Sequence, residues 1–88
     1  MRVVMLCRKG EDYTREAEEW VEDFKRETGI EVEELDPDTY EGEHYASAHD
    51  FVAYPTVAVL GPDNVVLNHW DGRPLPQFED VTYEMRSI

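Results

Sequence analysis

The chain has 88 residues, room for one small domain with one hydrophobic core but not for two. Its 21 acidic against 8 basic side chains give a formal charge of -13, which disfavours nucleic acid, because phosphate contact needs a patch of the opposite sign. Mean hydropathy is -0.64, yet 41% of the residues are hydrophobic, so the chain is read as folded, with residues 1–88 forming a single domain.

The first apolar run, Val3-Val4-Met5-Leu6-Cys7, lacks alternation and reads as a strand buried on both faces in the middle of a sheet. It stops at Arg8-Lys9-Gly10 and is too short for a membrane span or a secretory leader, so no membrane association and a cytoplasmic location are expected. Cys7 is the only cysteine, so no intrachain disulfide can form. Tyr13, Ala17, Trp20, Val21 and Phe24 then recur as one helical stripe, with Asp12 or Thr14 expected to cap the start and Gly29 to take the left-handed position after the end. Ile30 to Leu35 is a second strand, closed by Asp36-Pro37-Asp38 and expected at a sheet edge, parallel to the first. Tyr40 to His49 reads as a short helix in which Gly42 costs about 1 kcal/mol relative to Ala. Pro55 precedes a third strand running to Leu60 and is expected at its first position or on a sheet edge, where its missing N–H matters least. The turn Gly61-Pro62-Asp63-Asn64 joins it as an antiparallel hairpin to Val65–Trp70, and Leu75 to Met85 is the last helix.

Three readings fit the acidic charge. It can be a solvated surface that maintains solubility, an adaptation to a high-salt cytoplasm where the Debye length falls to roughly 3 Å at molar salt, or a face that attracts a basic partner. The histidines His44, His49 and His69 make a poor metal site, because the first two turn to different sides of a helix and the third lies on a strand. No metal or cofactor is expected. Neither a nucleophilic serine setting nor a phosphate-cradling glycine loop is present.

The order βαβαββα, with a central mixed four-stranded sheet flanked by helices, resembles the thioredoxin fold. Two stretches carry the resemblance to the thioredoxin and glutaredoxin-like family. Val52-Ala53-Tyr54-Pro55-Thr56-Val57 is similar to its cis-proline loop, and Val66 to Pro74 is similar to its fourth strand and the glycine-containing turn before the last helix. Redox-active members place Cys-x-x-Cys at the start of the first helix, where helix-end N–H groups and the dipole favour a thiolate. Here Glu11-Asp12-Tyr13-Thr14 occupies that corner, and a carboxylate cannot form a mixed disulfide, so dithiol exchange is not expected.

The resemblance implies a redox-inactive module binding a protein or extended peptide. Its groove would run between Glu11, Asp12, Tyr13 and Thr14 on one side and Tyr54, Pro55 and Thr56 on the other, pairing a peptide strand-like with the Tyr54 backbone. For Tyr13, Tyr54, Trp20 and Trp70 core packing is the competing reading. The alternative function is a single-cysteine oxidoreductase or thiol sensor using Cys7, which requires that thiol to be exposed and acidic. Monomer and homodimer both stay open.

Overall fold

The computed structural model describes residues 1–86; Ser87 and Ile88, the last two residues of the expected domain, lie outside the described residues. The elements are β1 (Arg2–Leu6), α1 (Thr14–Thr28), β2 (Val32–Leu35), α2 (Tyr40–Ala48), β3 (Thr56–Leu60), β4 (Val66–Asp71) and α3 (Phe78–Arg86). The four strands form one sheet in the order β2-β1-β3-β4. β1 runs parallel to β2 and antiparallel to β3, and β3 pairs antiparallel with β4. The expected mixed sheet, with β1 inside and β2 at an edge, is therefore the observed one.

Alternation of side chains across the strands divides the interior in two. On one face Val3, Met5, Val57 and Val59 meet Ala17, Trp20 and Phe24 of α1 and Val81 of α3. On the other, Leu6 and Ala58 meet Ala46 of α2 and Phe51. Both central strands are buried on both sides, which is why their sequences are continuous apolar runs. Trp20 and Phe24, one helical turn apart, stack at 4.9 Å, and Phe78 meets each edge-on at 5.4 Å. The Trp20 indole N–H donates to the Pro76 carbonyl at 2.9 Å, so both its ring and its polar end are satisfied inside.

Gly29 closes α1 as expected, at φ 75°, with its N–H donating to the Lys25 carbonyl at 2.7 Å. The start differs from expectation. Neither Asp12 nor Thr14 caps α1, whose N-cap is Tyr13 with no capping bond from its side chain. The Thr14 hydroxyl is used instead by the preceding loop. β2 begins two residues later than the apolar run because the Thr28 hydroxyl accepts the Ile30 N–H at 3.1 Å. α3 begins at Phe78 instead of Leu75. Pro76 biases Leu75 away from helical dihedrals, and its carbonyl is committed to Trp20. α2 is capped by Thr39, whose hydroxyl oxygen accepts the Gly42 N–H at 3.2 Å.

Candidate functional site

The corner between β1 and α1 is built around Thr14. Its hydroxyl accepts the Glu11 N–H at 3.0 Å and donates to the Arg8 carbonyl at 2.5 Å, closing the loop over Gly10, which takes φ 78°. Tyr13 points inward, 8% exposed, and its phenol oxygen accepts the Arg8 N–H at 3.2 Å. Burial pushes the Tyr13 hydroxyl pKa up. Glu11 and Asp12 remain on the surface, and the Arg73 guanidinium bridges from the β4–α3 turn to Asp12 at 3.3 Å and Glu16 at 3.8 Å.

The loop leading into β3 lies beside this corner. The Tyr54–Pro55 bond is cis, Pro55 is buried, and its carbonyl accepts the Gly72 N–H at 2.8 Å. Thr56 is fully buried and its hydroxyl donates to the Ala53 carbonyl. The Tyr54 hydroxyl donates to the Phe51 carbonyl at 2.9 Å, and the Arg8 guanidinium lies over the Tyr54 ring at 5.1 Å from its centroid. Val52 is 86% exposed. Among the described residues, the main-chain N–H and C=O of Tyr54 carry no hydrogen bond. Tyr54 and Val52 line a groove of about 530 Å³ whose other wall includes Pro37 and Asp38.

Two arginines join the corner and the loop. Arg8 couples Tyr13, through its N–H, to Tyr54, through its guanidinium, and it is held by Asp38 at 3.2 Å. The Gly72-Arg73 pair ties Pro55 to Asp12. Of the expected groove residues, Glu11 and Asp12 present surface and Thr14 and Tyr54 are half-buried, whereas Tyr13, Pro55 and Thr56 are buried beneath. Sequence reasoning missed Arg8 and Val52 as groove residues, and Arg73 as the link from the β4–α3 turn to Asp12. Val52 carried a readable signal, an apolar side chain just outside a strand. The arginines' partners lie 30 and 61 positions away, and no local pattern announces them.

Cys7 follows β1 and is 9% exposed, its thiol 3.5 Å from the Arg8 carbonyl. Burial pushes its pKa above the ordinary 9.0, the Thr14 hydroxyl pulls the other way, and the carboxylates of Glu18, Glu34 and Asp36 add to the rise. The thiolate is thus the disfavoured form at neutral pH, the reverse of what an activated cysteine needs. Iodoacetamide should alkylate native Cys7 more slowly than the unfolded chain at pH 7–8, by about tenfold for each pH unit of the rise, and the native rate should still be climbing above pH 9, where that of the unfolded chain levels off. Equal rates at pH 7 would contradict this environment. Among the described residues, no group of three or more His, Cys, Asp or Glu side chains could hold a metal ion, and no helix is long and apolar enough to cross a membrane.

No family model matches the chain, and no curated protein matches it significantly. Solved structures do. Thioredoxin 1 from the thermophilic eubacterium Thermosipho africanus TCF52B is similar with a TM-score of 0.69 and 13% identity, over 97% of this chain and 90% of that one. A structure described as a malarial protein gives a TM-score of 0.72 and 16% identity, over 96% and 91%. At such identities the likeness is one of architecture, and the chain has a thioredoxin-like fold.

Proposed function

We propose that this chain is a thioredoxin-fold module without dithiol chemistry that binds an extended segment of another protein along the loop before β3. The observation that carries the reading is the open main chain of Tyr54 beside the exposed side chain of Val52. A donor and an acceptor left free next to an apolar anchor are what strand addition uses, with main-chain bonds giving affinity and a side chain giving selectivity. The absence of dithiol chemistry in this reading is supported by positions 11 to 14, which hold no sulfur, and by Cys7, whose thiolate is disfavoured. The latter weighs against the single-cysteine alternative. Asp38, Glu43 and Asp50 around the Tyr54 groove favour a segment that is basic as well as apolar.

An unstructured peptide alternating valine and lysine, titrated into isotopically labelled protein, should shift the amide resonances of Val52, Ala53, Tyr54 and Thr56 saturably. Val52→Ser should weaken that binding about tenfold by removing an apolar contact. Absence of a saturable response at these amides would overturn the proposal.

A further inference from the structure

A second groove, of about 540 Å³, opens where β1 and β2 end, and nothing in the strand-addition reading uses it. Its floor is fixed by the Cys7 N–H donating to the Leu35 carbonyl at 3.0 Å. The side chains of Cys7, Leu35 and Tyr40 give it apolar surface, and the Tyr40 residue, 89% exposed, stands free on the rim. Carboxylates surround this apolar surface: Glu18 from α1, Glu34 from β2 and Glu41 from α2 all line it, against a single cation, Lys9. None of these three carboxylates has an ion-pair partner among the described residues. Five guanidiniums are committed elsewhere, Arg2 to Glu33, Arg8 to Asp38, Arg15 to Glu19, Arg26 to Asp23 and Arg73 to Asp12.

We propose that this groove receives an arginine side chain from a basic segment of the partner protein. An aliphatic stem ending in a planar cation matches an apolar floor with an acidic rim, and the guanidinium can stack on a free tyrosine ring while meeting carboxylates. Burial and the nearby Glu18 hold the Glu34 carboxyl above its ordinary range, so an incoming cation would also relieve an existing repulsion. The proposal rests on the protein-binding reading and extends it. Cys7 lines this groove, and its neighbour Arg8 lines the Tyr54 groove.

The test uses acetyl-Gly-Arg-Gly-amide, too short to occupy Val52 to Thr56 as well, and reads the amides of Cys7, Leu35 and Tyr40. Saturable shifts are expected, weakened about fivefold by Glu34→Gln or Glu18→Gln and by less than about twofold by Glu79→Gln, which changes the charge equally on α3. The glutamine analogue of the tripeptide should give none. No saturable shift, or equal weakening by Glu79→Gln, overturns the arginine pocket, the latter result assigning the response to general attraction by an acidic surface. A failure here leaves the Val52–Thr56 response of the longer peptide intact, and a failure there leaves this one intact, so the two readings fall separately.

Discussion

Phe24→Ala is expected to lower the free energy of unfolding by about 3–5 kcal/mol, the range for deleting a buried aromatic ring from a packed core. Phe24 has no exposed surface, stacks on Trp20 within 8° of parallel, and takes the edge of Phe78, so one ring joins α1, the sheet and α3. Removing it leaves a cavity that the flanking rings cannot fill without leaving their own rotamers. Small domains have only about 5–15 kcal/mol in all, so the variant should sit close to the folding threshold. Urea denaturation followed by tryptophan fluorescence measures this, since Trp20 reports the altered surroundings directly. Val52→Ala, at an exposed position, should stay within about 0.5 kcal/mol of the parent. A loss below about 1 kcal/mol for Phe24→Ala would mean that the ring is not packed as described.

The stripe that identifies Phe24 was legible in the sequence because helical periodicity is a local property, and so were the buried first strand and the turn at Gly29. The same stripe included Tyr13, and the structure places Tyr13 inward with Ala17 and Trp20, where packing and site roles meet in one residue. Boundaries were harder. Thr14 has the chemistry of a helix cap, but the Arg8 carbonyl and Glu11 N–H claim its hydroxyl, and that competition depends on how the loop folds back. The arginine groove was out of reach for a different reason: its walls come from the end of β1, α1, β2 and α2, and only the parallel pairing of β1 with β2 brings them together. Composition announced an acidic surface without saying which carboxylates had lost their partners. That distinction appears once the guanidiniums are seen paired elsewhere.

Gly42→Ala should destabilise the fold, against the direction that helix propensity gives. Gly42 lies within α2, where alanine would add about 1 kcal/mol in an isolated helix. In the folded chain a methyl group at this position would run into the Asp36 carbonyl, which is main chain and cannot swing aside as a flexible side chain would. α2 would have to lift from the β2–α2 turn, stretching the bond from the Gly42 N–H to the Thr39 hydroxyl and shifting Tyr40. Overpacking of this kind costs typically about 1–3 kcal/mol, and because the obstacle is backbone the loss should exceed the propensity gain. The net result expected in urea denaturation is a lower midpoint with little change in slope. Tyr40 and Leu35 wall the arginine groove, so the same variant should also weaken the tripeptide response. A Gly42→Ala protein more stable than the parent would show that α2 does not sit against Asp36, and the geometry assigned to the groove would fall with it.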